Sequence, residues 1–436
     1  MENKDLLERS LRAVWHPCTQ MKSHETIPLV PIQRGEGVWL YDMEGKRYLD
    51  AVSSWWVNLF GHNHPQIKQA IKQQLDALEH VILAGFTHGP VVNLSERLAA
   101  LTGLGHCFYA SDGASATEIA LKMSFHYWRN VGKPGKTRFI SLQNGYHGET
   151  LGALSVTDVA IFKDTYAHLL MHSEQMPSPD WRLAAKGETP EQYALRCADA
   201  LEQYIAANHE EISAFIVEPL VQCAAGMAMY APIYLQRARS ICSEYQVHLI
   251  ADEIAVGFGR TGTMFACEQA GIRPDFICLS KGITGGYLPL SVTLCTDEIY
   301  QAFYDDSTAR GFLHSHSYTG NPLACSAALA TLDIFENEQV LQGNRQKSAY
   351  IGRKLQEVLR GLPVEHIRQT GMIAAFDVIS SNADFQQGFY QAALARGLLV
   401  RPIGKTVYLM PPYIISEPEI DWVCAEIAEL LQETLG

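Results

Sequence analysis

The chain has 436 residues, with 34 Lys+Arg against 47 Asp+Glu and a formal charge of −13. Hydrophobic residues make up 47% and charged residues 19%, which excludes a disordered chain, while 33 Gly and 19 Pro exclude collagen-like and low-complexity classes. The acidic balance argues against a nucleic-acid backbone binder, since the densest basic stretch, around Lys133, Lys136 and Arg138, is sparse and Gly/Pro-broken.

The first 60 residues are rich in Pro, Trp and turns, and Val38–Tyr48 reads as a hairpin. Short apolar runs then alternate with amphipathic helical stretches. The strand-like runs are 107–110, 138–142, 214–217, 248–251 and 276–279; helical patterns lie near 115–130, 195–210 and 232–245. Continuous apolar strands between helices imply an α/β fold with a mostly parallel sheet buried on both faces. After about residue 330 the pattern changes. Helices near 322–336 and 344–360 lead to a strand at 372–378, a helix near 384–396, strands at 398–402 and 407–410, and a last helix near 417–434. The expected domains are residues 1–60 as an N-terminal arm, 61–329 as a large domain, and 330–436 as a C-terminal α+β unit. The arm and the C-terminal unit are expected to build one small domain together.

No C-x-x-C pair occurs among the ten cysteines, and several lie in apolar runs. That is the pattern of reduced, buried thiols in a cytoplasmic protein. Met1–Asp5 has no apolar signal core behind it, and no apolar run reaches the ~20 residues of a membrane span. His62 and His64 precede Pro65 in a turn with no third ligand at metal spacing, so no metal is expected.

Four features carry chemistry. Lys281 follows the run Phe276–Leu279 directly. A lysine there can snorkel off the sheet end, or it can be a Schiff-base lysine whose pKa is lowered by desolvation. Asp252 ends the run Leu249-Ile250-Ala251, where α/β sheets place ligand-binding groups; it could cap a helix, or pair with the ring nitrogen of a pyridine cofactor. Tyr109–Glu118 runs from a strand through small residues into a helix, whose N-terminal N–H groups suit a phosphate. Tyr146, in Asn144-Gly145-Tyr146-His147-Gly148, puts an aromatic ring in a Gly-flanked turn at another strand end. Together they supply a base, an anion, a phosphate cradle and a ring stack.

The run Asp252–Gly262 followed by Lys281, and the run His314–Ala324, resemble the signature of the class III pyridoxal-phosphate aminotransferases; the likeness covers essentially the whole chain. Within that family a closer similarity is to the enzymes that convert 8-amino-7-oxononanoate to 7,8-diaminononanoate in biotin biosynthesis. It is carried by Trp15-His16-Pro17, Ser53–Trp56, Gly61–Pro65, Arg401-Pro402, Tyr408–Tyr413 and Ala255.

The resemblance implies the fold type I architecture, pyridoxal 5′-phosphate as cofactor, and a homodimer with shared active sites. It implies Lys281 as the Schiff-base lysine and proton shuttle, Asp252 as the ring-nitrogen partner, Tyr146 stacked on the ring and Ile254 on its other face. Gly113 and Ala114 would hold the phosphate, joined by Ser317 from a second subunit. Trp55 would line the substrate pocket and Arg401 would clamp the substrate carboxylate, with Ser315, Tyr408, Arg260 and Cys18 as further pocket residues. Five positions depart from the family pattern: Cys18 for tyrosine, Ala114 for serine, Ser317 for threonine, Ser315 for glycine and Glu149 for aspartate. The expected amino donor is S-adenosylmethionine; with Cys18 in the pocket, lysine is the alternative. The other enzymatic reading is a class III ω-amino acid aminotransferase.

Overall fold

Apolar runs such as Phe215-Ile216-Val217 and Leu249-Ile250-Ala251 need cover on both faces, and the chain supplies it with helices between successive strands. The computed structural model describes residues 3–27 and 29–435. They divide into two units, one made of residues 66–346 with 368–373, the other of the described residues up to 65 with 347–367 and 374–435. The expected break at 329/330 falls inside the helix Pro322–Asn337, and the first unit runs on to Gln346.

The first unit holds a seven-stranded sheet in the order His106–Ala110, Ser291–Cys295, Phe276–Leu279, His248–Asp252, Ile212–Val217, Arg138–Leu142, Ser173–Met176. Only Ser291–Cys295 runs antiparallel to its neighbours; the other pairs are parallel. The register sets Asp252 beside Cys278, and Ala251 beside Val217. Asp252, Glu218 and Lys281 therefore leave neighbouring strands at the same, C-terminal edge.

The helix Gly113–Asn130 packs Ile119, Ala120, Met123 and Trp128 into the core of this sheet. Its start is fixed by Asp112, whose carboxylate accepts the Ser115 N–H at 2.9 Å. The helix Pro190–Asn208 starts with a capping box, Thr189 with Gln192, and a proline at its first position.

His248 lies in this core, bonded to Ser124 Oγ through Nδ1 at 2.8 Å and stacked on Trp128. Burial, helped by Arg239 and Lys136, pushes its pKa down to about 3. Below its ordinary pKa the unfolded chain binds a proton that the folded chain refuses, so stability falls as pH drops from about 6.5 towards 3. By about pH 4 this should cost the parent protein on the order of 3 kcal/mol. Melting temperatures of parent and His248→Gln between about pH 7 and pH 4 check it; the variant should lose less over that range.

The second unit contains the expected hairpin, Trp39–Asp42 against Arg47–Asp50, extended by Ile32–Glu36 and, in parallel, by Leu398–Leu399. Ile373–Val378 pairs antiparallel with Thr406–Leu409. The final helix, Glu417–Leu435, buries Ile420, Val423, Ile427 and Leu430. The strand expected over 398–402 pairs for only two residues and ends before Pro402, which has no N–H to donate. Among the described residues no helix is long and apolar enough to cross a membrane.

Candidate active site

Lys281 opens a short 3-10 turn, Lys281–Thr284, immediately after the strand Phe276–Leu279 and Ser280. Its φ is +46°, a left-handed conformation that a side-chain-bearing residue adopts at a cost. Loss of water around its ammonium lowers the Lys281 pKa below the usual lysine value, while Asp252, Cys223 and Glu218 act in the opposite direction.

Asp252 is buried. Its Oδ2 lies 2.7 Å from His147 Nδ1, and its Oδ1 accepts the Ile254 N–H at 3.1 Å. His147 is itself buried; its backbone N–H donates to Thr157 Oγ1, and its Nε2 has no hydrogen-bond partner among the described residues. A histidine anchored through its backbone holds the carboxylate in one orientation. Tyr146, next to it, is half-buried. Its hydroxyl donates to Glu149 Oε1 at 2.9 Å, and its ring meets Phe162 edge-on.

Glu218 completes this cluster and was not among the residues expected. One oxygen accepts the Tyr146 N–H and the other the Cys223 N–H, each at 3.0 Å. Burial raises its pKa to about 7; His147 opposes this and Asp252 adds to it. The signal was available, because Glu218 follows the apolar strand Ile212–Val217 just as Asp252 ends His248–Asp252.

The start of the helix Gly113–Asn130 offers N–H groups of the kind a phosphate takes. Asp112 already serves the N–H groups of Ser115 and Ala116. Gly113 and Ala114 are then the first-turn N–H groups that no intrahelical carbonyl reaches. Gly113 packs tightly on Ile254: a Cβ there would stand 2.9 Å from Ile254 Cγ2, which would have to shift. Gly148, at φ +123°, approaches Ala114 so closely that its Cβ would lie 2.6 Å from that of Ala114. These residues fit pyridoxal 5′-phosphate. There is a lysine for its carbonyl, a buried carboxylate for its ring nitrogen, N–H donors for its phosphate, and Ile254 with Tyr146 among the flanking side chains. Arg260, one of the pocket residues expected, is fully buried in this unit. Ser315 and Ser317 are exposed, and neighbouring His316 bonds Ser111 Oγ through Nε2 at 2.9 Å.

The remaining expected residues lie in the second unit. There, Cys18, Trp55, Tyr390 and Arg401 line a cleft of about 650 Å³. The Arg401 guanidinium sits 5.0 Å from the centroid of the Trp55 ring, a cation–π contact, and Nη2 donates to the Cys18 carbonyl at 3.3 Å. Trp55 is 47% exposed although its neighbour Trp56 is buried. Tyr408 is buried too, and its hydroxyl accepts the Trp56 indole N–H at 3.1 Å.

Comparison with known proteins agrees with this chemistry. The family model described as aminotransferase class-III matches residues 20–431. The chain is 48% identical to an adenosylmethionine-8-amino-7-oxononanoate aminotransferase of Helicobacter pylori, over 99% of this chain and 98% of that one. The crystal structure of the enzyme of that name from Methanocaldococcus jannaschii superimposes with a TM-score of 0.93 at 37% identity, covering 99% of both chains. An amine transaminase from an uncultivated Pseudomonas species, solved with PLP bound, gives 0.91 at 33% identity over 97% of this chain and 99% of that one. The architecture is fold type I, as expected, and the cofactor is pyridoxal 5′-phosphate. With its lysine, aspartate and glycine-cradled helix in register on one sheet edge, the chain belongs to the class III aminotransferase family.

Proposed function

We propose that this protein transfers the amino group of S-adenosylmethionine to 8-amino-7-oxononanoate, giving 7,8-diaminononanoate for biotin biosynthesis. The reaction class is carried by one observation: Asp252 and Lys281 leave adjacent parallel strands at one edge, within electrostatic reach of each other. The substrates are supported by the full-length similarity to the Helicobacter pylori enzyme.

When bound, pyridoxal phosphate supplies an electron-withdrawing ring that accepts charge from the carbon bearing the amino group. The protein supplies the rest. Lys281 Nζ would take the proton from that carbon and hand it back in the return step, and loss of water around it makes its neutral form easier to reach than that of an exposed lysine. Asp252 holds a negative charge where the ring nitrogen needs a proton, and His147 keeps that carboxylate oriented. Glu218 fixes the Tyr146 turn through its backbone N–H. Gly113 and Ala114 bind the phosphate, Tyr146 and Ile254 flank the ring, and Arg401 with Trp55 receives the acid end and the aliphatic chain.

Homodimerisation belongs to this reading. Ser315 and Ser317 are exposed on the chain that carries them, as residues offered to another copy's site would be. The same reading makes residues 66–346 the cofactor-binding domain. A cytoplasmic location is supported by the cysteines, all ten of which are free.

A half-reaction screen tests the donor. S-adenosylmethionine, lysine, ornithine and 4-aminobutyrate are mixed separately with the yellow holoenzyme. S-adenosylmethionine should be the amine that bleaches it. Bleaching by lysine alone would replace the donor assignment, and Cys18, exposed in the cleft where the family pattern has tyrosine, is the feature that favours that second reading.

Arg401→Ala should raise the KM for the keto acid acceptor by roughly 30-fold or more, because it leaves a carboxylate without its charged partner. The KM for the donor should move far less. Equal changes in both would remove Arg401 from this role.

A further inference from the structure

Ser53, Ser54, Trp55 and Trp56 have φ values of +51°, +46°, +71° and +73°. Four consecutive side-chain-bearing residues thus form a left-handed turn, with no glycine or asparagine among them. Each brings its Cβ against a carbonyl oxygen, so such runs unwind unless something holds them. The turn decides which way the two tryptophans face. Trp56 goes into the core and Trp55 is left exposed beneath the Arg401 guanidinium.

One buried side chain collects the forces that hold this turn. Asp50 is 0% exposed at the end of the strand Arg47–Asp50. Its Oδ1 accepts the Ser54 N–H at 2.9 Å, its Oδ2 accepts the Ser54 hydroxyl at 2.6 Å, and the same Oδ2 lies 3.0 Å from His62 Nε2. His62 is in turn positioned by Asn58, at 3.2 Å from Nδ1. Ser53 Oγ ties the start of the turn to the Met410 carbonyl at 2.8 Å, and the Trp56 indole reaches Tyr408. A buried carboxylate spending both oxygens on one serine is expensive to maintain unless the geometry it secures is needed.

We propose that Asp50, oriented by His62, is a positioning residue for substrate recognition. It locks the left-handed Ser53–Trp56 turn so that the Trp55 ring is presented to Arg401 and, with it, forms the floor for the aliphatic keto acid. This rests on the assignment of Trp55 and Arg401 to the acceptor's binding site. It goes beyond that assignment by naming what sets the Trp55 conformation.

The test separates the two. Holoenzymes carrying Trp55→Ala, Arg401→Ala, Asp50→Ala, Asp50→Asn and Asp50→Ala/Ser54→Gly are assayed for the acceptor KM and for the rate of the donor half-reaction. Asp50→Ala should raise the acceptor KM about tenfold or more while the donor half-reaction stays within about twofold. Asp50→Asn, which keeps an oxygen for the Ser54 N–H, should recover most of the loss. Glycine at 54 relieves the left-handed crowding without any bond to Asp50, so the double variant should regain part of the lost affinity. A residue needed only for packing would lower both half-reactions alike and would not be rescued by glycine; that result overturns the proposal. If Trp55→Ala and Arg401→Ala leave the acceptor KM unchanged, the underlying site assignment fails instead. Should Asp50→Ala not fold, Ser54→Ala, which removes only the 2.6 Å bond, must still raise the acceptor KM selectively. An unchanged acceptor KM there also overturns the proposal.

Discussion

Lys281→Ala should abolish transamination, with a loss of at least about 10⁴-fold in turnover, and leave no borohydride-reducible link between protein and cofactor. The size follows from the two duties the proposed function gives one side chain: holding the cofactor carbonyl, and moving the proton between two carbons. No neighbour can take over. Glu218, one alternative base, has both oxygens committed to the backbone N–H groups of Tyr146 and Cys223. Asp252 is bound to His147 and to the Ile254 N–H. Alanine keeps a Cβ at φ +46°, so the backbone conformation at 281 costs the variant what it costs the parent. Full activity in this variant, or a reducible lysine adduct still found at another position, would remove Lys281 from its role.

The parallel core was legible because its strands are continuous apolar runs, and burial on both faces leaves no alternation to misread. That same property hides direction. Ser-Val-Thr-Leu-Cys at 291–295 is buried throughout, and nothing in its composition says that it runs antiparallel. The edge strand Ser173–Met176 reads Ser-Glu-Gln-Met, too polar and short to announce itself. Asp252 and Lys281 stood out because each follows an apolar run, but their adjacency is a matter of register, which residue spacing does not contain. Glu218 obeys the same rule as Asp252 and could have been found by applying it to every strand. The Ser53–Trp56 turn could not. Sequence marks positive φ through Gly or Asn, and this turn is held instead by Asp50 and by Met410 and Tyr408, far along the chain.

Removing the charge at 252 is the second large effect. Asp252→Asn keeps the shape of the side chain and one oxygen for the Ile254 N–H, so the turn after the strand His248–Asp252 should survive. What it loses is the negative charge that, in the proposed function, would keep a proton on the cofactor's ring nitrogen, and with it the ring's capacity to take up electrons. A preorganised charge in a buried site accounts for roughly 10²–10³ in rate, and both half-reactions need it equally. Turnover should fall by that factor in each, with KM for either substrate little changed. The neighbouring carboxylate offers no substitute. Asp252 is one of the causes that raise the Glu218 pKa, so in the variant Glu218 ionises more readily, yet its oxygens remain turned to the backbone of Tyr146 and Cys223. His147 would then face an amide in place of a carboxylate at 2.7 Å, a weaker bond that orients the 252 side chain less firmly. His147→Ala should accordingly reproduce a smaller part of the same loss, again equally in both half-reactions. An Asp252→Asn enzyme retaining turnover within about fivefold of the parent would mean that the ring nitrogen finds its partner elsewhere.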